Sequence, residues 1–219
     1  MNRREFLRIS GMSMMTLVLG GCGLSSLTGE SSSGQAGSRA AAGTAASSSS
    51  GTAAAAGRKT LVVYYSATGR TERVAKVIAR ERQADIMKLV PSPDYTAADL
   101  DYNDTSSRVS REHDDAALRE KIQLQEAVPD NWDAYDTVFI GYPIWWGIAA
   151  WPVDAFVKAN DFTGKQVVTF ATAAISPLGN SGQLLKEMAG DRGSWQDGIC
   201  FTGRLDDGKV AAWITSLRE

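Results

Sequence analysis

The chain has 219 residues, of which 43% are hydrophobic and 22% are charged, and its formal net charge is -2. This composition is typical of an ordinary soluble globular protein. Because basic residues form no run beyond the extreme N-terminus, we exclude a nucleic-acid-binding function.

Cysteine and histidine usage argues against disulfides and metal sites. Cys22 and Cys200 lie in very different sequence contexts, so we expect no disulfide framework. The single histidine, His113, has no cysteine or carboxylate at metal-ligand spacing, which argues against a zinc site. We interpret His113 as a solvated side chain on a helix.

The first 21 residues are organised like a signal peptide. A charged start precedes an apolar stretch from Ile9 to Leu19, which is too short to span a bilayer as a permanent helix. Arg3 and Arg4 with the following residues resemble a twin-arginine export signal, and the segment ending at Cys22 resembles a lipobox. We therefore predict a lipidated Cys22 and a protein anchored to the extracytoplasmic side of the cell membrane. The alternative is a cytoplasmic N-terminal helix with an incidental Cys22.

Residues 23–57 are dominated by Ser, Gly, Ala and Thr and contain no large apolar cluster. Such a segment cannot build a core, so we predict that 22–57 comprise the lipidated cysteine and a flexible linker. The alternative for this stretch is a wall-spanning or glycosylated stalk.

Residues 58–219 are predicted to form one domain in which strand-like and helix-like segments alternate. This pattern indicates a parallel sheet that is covered on both faces. The mixed composition of the second predicted strand suits a sheet edge. The predicted strands are Thr60–Tyr65, Asp85–Val90, Thr137–Tyr142, Gln166–Ala171 and Ile199–Gly203.

Helical spacing of apolar residues predicts a helix after the first strand, another after the fourth and a third at the C-terminus. Pro152 suits the first turn of a further helix that carries Val153, Phe156 and Val157 inward. The polar connection from Pro91 to about His113 is longer than a usual loop, and long loops in compact domains are often functional.

The first loop, Ser66–Thr71, follows the first predicted strand and reads SATGRT. Three hydroxyl side chains and a glycine in a tight strand-to-helix turn let backbone N–H groups and a helix N-terminus converge on one phosphate. The loop lacks the lysine and the spacing of a triphosphate-binding loop, so a monophosphate fits better. An ordinary capped helix start is the alternative. The candidate ligand residues are Ser66, Ala67, Thr68, Gly69, Arg70 and Thr71.

The tryptophan loop, Gly141–Gly147, follows the third predicted strand. It carries large aromatic side chains at the exposed end of a buried strand, where a flat partner such as an isoalloxazine ring would cover them. Pro143, Gly141 and Gly147 are expected to hold the loop in a turned shape. Packing of these aromatic residues into the core or a dimer interface is the alternative. The candidates are Tyr142, Pro143, Ile144, Trp145, Trp146 and Gly147.

These two motifs resemble those of the flavodoxins, in particular a subgroup with tandem tryptophans and a long second connection like Asp99–Arg108. The resemblance covers residues 59–218 and is to the short-chain kind. It implies a three-layer α/β/α sandwich with a five-stranded parallel sheet of order 2-1-3-4-5 and one non-covalent flavin mononucleotide (FMN). It also implies that the first loop binds the phosphate and that Tyr142 to Gly147 cover the ring.

The third loop, Thr172–Gly179, departs from this resemblance. Flavodoxin-like relatives have a glycine-rich segment here, whereas this chain has alanine, isoleucine and proline at several of those positions. We expect the loop to approach the flavin differently. Its candidate cofactor-binding residues are Thr172, Ala173, Ala174 and Gly179.

The expected function is electron transfer by bound FMN to redox proteins or small electron acceptors, with the lipid anchor holding the domain at the membrane. Two alternatives stay open: an FMN-dependent NAD(P)H or quinone reductase, and a flavin-free binding module.

Overall fold

The structure, a computed structural model, describes residues 59–217. The predicted signal peptide, Cys22 and the linker lie outside the described residues and stay predictions. Within 59–217, no helix has the length and apolar character needed to cross a membrane.

Five parallel strands form the central sheet in the order β2-β1-β3-β4-β5. This confirms the predicted order 2-1-3-4-5. Strand order reverses between β1 and β3, the point at which ligands bind in open parallel sheets. The strands are β1 (Lys59–Tyr64), β2 (Asp85–Lys88), β3 (Tyr135–Trp145), β4 (Gln166–Ala173) and β5 (Ser194–Thr202).

Six α-helices and two short antiparallel pairs complete the described domain. Pro91–Ser92 pairs with Gln123–Leu124, and Ile148–Ala149 pairs with the end of β3. A single 3-10 turn, Trp132–Ala134, precedes β3. The helices are α1 (Arg70–Arg82), α2 (Arg108–Asp114), α3 (Ala116–Arg119), α4 (Pro152–Ala159), α5 (Ser181–Met188) and α6 (Asp207–Ser216).

Alternate residues of the central strands bury side chains on opposite faces of the sheet. Val62 lies in a cluster with α1 and α6, whereas Val63 lies in a cluster with α4 and α5. Two cores on the two sheet faces confirm the predicted three-layer sandwich. Pro152 begins α4, and the three apolar residues predicted to face inward from this helix are buried.

The last strand begins at Ser194, five residues earlier than its apolar segment predicts. β5 is an edge strand with β4 as its neighbour, so its first half carries polar residues that hide the strand pattern. A Cβ on Gly198 would lie 1.8 Å from the Thr169 carbonyl oxygen, where the pairing of β4 and β5 is irregular. Glycine is therefore required at this close approach.

The connection after Val90 is only partly a loop. Pro91–Ser92 forms the short strand pair already described, and α2 begins after Ser107, whose hydroxyl accepts a hydrogen bond from the Ser110 N–H. The last six residues of the predicted connection, 108–113, therefore belong to α2. His113 lies on a helix as predicted, but it is not simply solvated, because its ring stacks on Trp146.

Candidate functional site

A cleft of about 630 Å³ lies at the carboxyl edge of the sheet, beside the switch between β1 and β3. Its volume is in the range of small-molecule sites. All three loops singled out in the sequence contribute to its walls. Its predicted lining residues are Ala67, Thr68, Arg70, Pro143, Ile144, Trp145, Trp146, Thr172, Ala173 and Ala174.

The first loop combines an uncapped helix with an unsatisfied hydroxyl. Gly69 has a φ of 83° at the start of α1, and no side chain caps the first backbone N–H groups of this helix. The Ser66 hydroxyl oxygen is buried and has no hydrogen-bond partner among the described residues. A Cβ on Gly69 would meet nothing within 4 Å, so the space beside this turn is open. These features together can hold an anion.

Arg70 is the one charged residue in the cleft lining of the described domain. Its Nη2 donates to the Gly203 carbonyl oxygen at 2.6 Å, which ties the first loop to the end of β5. Its Nε is buried and without a hydrogen-bond partner within 59–217. The cleft therefore has a single positive charge at the end where the helix N-terminus also favours an anion.

The tryptophan loop is a tight hairpin rather than an open loop. β3 continues to Trp145 and pairs with Ile148, so Trp146 and Gly147 form the two-residue turn. Their φ angles are 47° and 84°, as in a type I′ turn. A positive φ is strained for a tryptophan, so its surroundings must stabilise this conformation.

Two aromatic rings stack on the side chain of Trp146. The His113 ring stacks on it with centroids 4.4 Å apart, and the Trp151 ring stacks at 5.7 Å. Trp146 nevertheless remains 45% exposed. Trp145 is more deeply placed, with Tyr65 and Tyr95 edge-on to its ring at 5.5 and 5.6 Å.

Two residues of this loop have roles that differ from those expected. Gly141 lies within β3, where a Cβ would come 2.1 Å from the Phe170 ring, so it serves core packing and not the turn. Tyr142 is fully buried and its hydroxyl lies 3.1 Å from the Ser181 hydroxyl. Burial raises the pKa of Tyr142 above its ordinary value. Tyr142 thus belongs to the core and has no part in the cleft lining, in contrast to the expectation that it covers the ring.

The third loop contributes to the cleft despite its loss of glycines. Thr172 is buried, and its hydroxyl lies 2.9 Å from that of Thr71 in the first loop. Ile175 is 91% exposed at the rim. The Cys200 thiol donates to the Ser176 carbonyl oxygen at 3.4 Å, and burial raises the pKa of this thiol.

Several predicted site residues do not line the cleft directly. Ser66 and Thr71 are buried behind it, and Gly69, Gly147 and Gly179 shape the turns at its edge through positive φ angles.

Five residues that line the cleft were not predicted from the sequence: Leu100, Tyr102, Val109, Ile175 and Ser176. Leu100, Tyr102 and Val109 lie in the long connection that follows Val90. The length of this connection could have identified them, since long loops are often functional. Tyr102 is 71% exposed.

Within residues 59–217, no group of three or more His, Cys, Asp or Glu side chains could hold a metal ion.

The sequence profile of the flavodoxin family matches residues 59–217. The chain belongs to the flavodoxin family. The solved structures that are similar to it include two that are provisionally described as flavoproteins. The protein from Bacteroides eggerthii DSM 20697 is 38% identical, with a TM-score of 0.64, and the alignment covers 72% of this chain and 96% of the other. The protein from Bacteroides uniformis ATCC 8492 is 36% identical, with a TM-score of 0.67, and the alignment covers 73% of this chain and 99% of the other. No curated protein matches this sequence.

Proposed function

We propose that this flavodoxin domain binds one FMN non-covalently and carries electrons with it. The proposal rests on one observation: the first loop lies at one end of a cleft whose walls include Trp145 and Trp146. This loop has the unsatisfied Ser66 hydroxyl and leads into the uncapped helix α1. The anion site and the apolar walls are thus parts of one cavity, as a flavin with a terminal phosphate requires.

The phosphate end fits a monophosphate. The first backbone N–H groups of α1 need acceptors, the Ser66 hydroxyl needs a partner, and Arg70 supplies one positive charge. Charge-assisted hydrogen bonds from such donors are stronger than neutral ones. Gly69 leaves space for a close approach of the ligand to the backbone.

The remainder of the cleft fits a flat heterocycle. Its walls beyond the first loop are mainly aromatic and aliphatic, with Thr172 and Ser176 as hydroxyl side chains among them. Trp146, Tyr102 and Ile175 are exposed around the mouth. When bound, the isoalloxazine ring supplies the electron-transfer chemistry, and the protein sets its position and surroundings. The tryptophans exclude water from one side, and the peptide between Trp146 and Gly147 can turn its carbonyl or N–H group toward the cleft because Gly147 lacks a Cβ.

The proposed place of action is the outer face of the cytoplasmic membrane, with Cys22 as the lipid anchor. The support for this is the order of the twin-arginine-like and lipobox-like segments at the N-terminus. A twin-arginine route exports folded proteins, so FMN can be inserted before export. The proposed partners are redox proteins or small electron acceptors that reach the exposed rim of the cleft.

The test is to purify the protein, identify the chromophore released on denaturation and follow its reduction. We expect FMN at one equivalent per chain. Slow reaction with NADH or NADPH, with rapid electron exchange with redox proteins, is expected of a carrier. Steady NAD(P)H oxidation in the presence of a quinone would instead indicate a reductase. A colourless protein that takes up no FMN would indicate a flavin-free binding module.

A further inference from the structure

A buried carboxylate lies behind the tryptophan wall of the cleft. Glu112 on α2 is only 5% exposed. Its Oε2 accepts hydrogen bonds from the Tyr95 hydroxyl at 2.5 Å and from Trp151 Nε1 at 2.8 Å. Its Oε1 accepts from Arg108 Nε at 2.7 Å. The negative charge is therefore fully paired and fixed in place, as a buried carboxylate requires.

Tyr95 connects this carboxylate to the cleft. Its ring is edge-on to that of Trp145, with centroids 5.6 Å apart, and Trp145 lines the cleft. Trp151 is 4.8 Å from Trp145 and stacks with the half-exposed Trp146 at 5.7 Å. A continuous set of aromatic rings thus leads from the solvent-exposed edge of the cleft to a tyrosine that is hydrogen-bonded to a base.

The position of Arg108 restricts how Tyr95 can be oxidised. Its guanidinium carbon lies 3.9 Å from the centroid of the Tyr95 ring. A positive charge at this position disfavours a tyrosine radical cation, so loss of an electron must be accompanied by loss of the phenolic proton. Glu112 is at hydrogen-bond distance from that proton, which is the geometry required of a general base.

We propose that Tyr95 is a redox-active tyrosine that reduces an oxidised Trp145 and gives its proton to Glu112. One electron passes from Tyr95 to the Trp145 radical cation, the Tyr95 O–H bond breaks, and an O–H bond forms at Glu112 Oε2. The products are neutral Trp145, a neutral tyrosyl radical and a protonated Glu112, so charge and electrons balance. At neutral pH a tyrosine that loses its proton is oxidised more easily than a tryptophan, which sets the direction.

The oxidant of Trp145 is a one-electron oxidant in or at the cleft. A photoexcited flavin ring is one such oxidant, and in that respect the inference rests on the proposed function. Radicals generated in solution are another, and they allow the electron transfer from Tyr95 to Trp145, here called the relay, to be tested without any flavin. The relay protects the tryptophan wall, because the radical moves away from the cleft to a tyrosine that is easily reduced again by thiols or ascorbate.

The experiment is pulse radiolysis of the full-length protein with azide radicals, which oxidise tryptophan, followed by transient absorption of the tryptophan and tyrosine radicals. We expect tryptophan radicals to convert to a tyrosyl radical with a rate that is independent of protein concentration and slower in D2O. Tyr95→Phe retains the ring packing and is expected to abolish this conversion. Trp145→Phe is expected to do the same.

Tyr65→Phe is the matched control. Tyr65 is also edge-on to Trp145, at 5.5 Å, but no hydrogen bond from its hydroxyl to a carboxylate occurs in the described part of the chain. Its removal is expected to leave the conversion unchanged. Glu112→Gln, checked for folding by circular dichroism, is expected to slow the conversion ~100-fold because the proton acceptor is lost.

Unchanged conversion in Tyr95→Phe, or equal loss in Tyr65→Phe, would overturn the proposal. A conversion that depends on protein concentration would overturn it as well, because the electron would then pass between molecules. Failure of the protein to bind FMN would remove the proposed function but leave these radical kinetics intact, so the two failures are distinguishable.

Discussion

Thr71 and Thr172 share a buried hydroxyl–hydroxyl hydrogen bond of 2.9 Å that joins the first loop to the third loop. Thr71 lies in the first turn of α1 and Thr172 near the carboxyl end of β4, and the two residues are separated by 101 positions in the sequence. The bond fixes two walls of the cleft relative to each other. Because both hydroxyls are buried, the loss of one leaves the other without its partner.

The first prediction concerns this bond. Thr71→Val and Thr172→Val are each expected to lower the free energy of unfolding by about 1–3 kcal/mol, because one buried hydroxyl loses its partner. The decrease in the free energy of unfolding of the double variant is expected to be smaller than the sum of the decreases of the two single variants, because no unpartnered hydroxyl then remains. Urea denaturation measures all three. Strict additivity would show that the two hydroxyls do not interact.

A second prediction tests the phosphate end of the cleft. Ser66→Ala is expected to weaken FMN binding roughly 10-fold or more, because a hydrogen bond to a charged group contributes about 1.5–3 kcal/mol. Riboflavin, which lacks the phosphate, is expected to bind the variant and the native protein equally well. Isothermal titration measures both ligands. Stability of the flavin-free protein is not expected to fall, since the Ser66 hydroxyl has no hydrogen-bond partner in the described residues. An equal loss of affinity for riboflavin would contradict a phosphate contact.

The third prediction compares two glycines with nearly the same conformation. Gly69 and Gly147 have φ angles of 83° and 84°, and a Cβ on either would meet nothing within 4 Å. Alanine at either position is expected to cost about 1–2 kcal/mol of stability through backbone strain alone. Only Gly147→Ala is expected to change both one-electron potentials of the bound flavin, and only Gly69→Ala is expected to weaken phosphate binding. Reductive titration and FMN titration separate the two effects. Unchanged potentials in Gly147→Ala would exclude a role for its peptide.

The fourth prediction concerns pH. Burial raises the pKa of Asp154, in the first turn of α4, from its ordinary value of 3.8 to about 6. The unfolded chain therefore releases this proton at a lower pH than the folded protein does. Stability is expected to fall as the pH rises from about 3.8 to about 6. Above that range the contribution of Asp154 to the free energy of unfolding no longer changes with pH. Asp154→Asn is expected to remove this slope and to raise the stability at pH 7 relative to the native protein. Urea midpoints at pH 5 and pH 7 measure the difference, and parallel pH curves for the two proteins would contradict it.

The fifth prediction concerns the membrane anchor. Cys22→Ser removes the thiol that a lipid would modify, so the protein is expected to move from the membrane to the soluble fraction in cell fractionation. Cys200→Ser is the matched control, since its thiol lies within the folded domain and contacts the Ser176 carbonyl oxygen. Retention of Cys22→Ser at the membrane would show that another segment holds it there.

Sequence reasoning recovered those parts of the fold that local pattern determines. The apolar strands, the start of α4 at Pro152 and the sheet order were predicted because central strands are buried on both faces and because the motifs resemble those of one family. Gly141 could not be interpreted correctly, since its role depends on the Phe170 ring in the neighbouring strand. The start of β5 at Ser194 was hidden because one side of an edge strand tolerates polar residues.

The candidate site was predictable in its position but not in its details. The three loops were found because parallel strands end at one edge of the sheet. The core position of Tyr142 was missed because the exact end of β3 determines which side chains are buried. The Glu112 network was missed because it joins residues from α2, from the connection before α2 and from the N-cap of α4 at Trp151, which no local pattern relates. Contacts of this kind depend on tertiary packing alone.

The central claim is that the first loop and the tryptophan loop together bind one FMN. The most direct measurement is the chromophore content of the purified full-length protein, followed by FMN titration of the chromophore-free protein. The account predicts FMN at one equivalent per chain and its uptake by the emptied protein at the same ratio. A protein that is purified colourless and takes up no added FMN would contradict it.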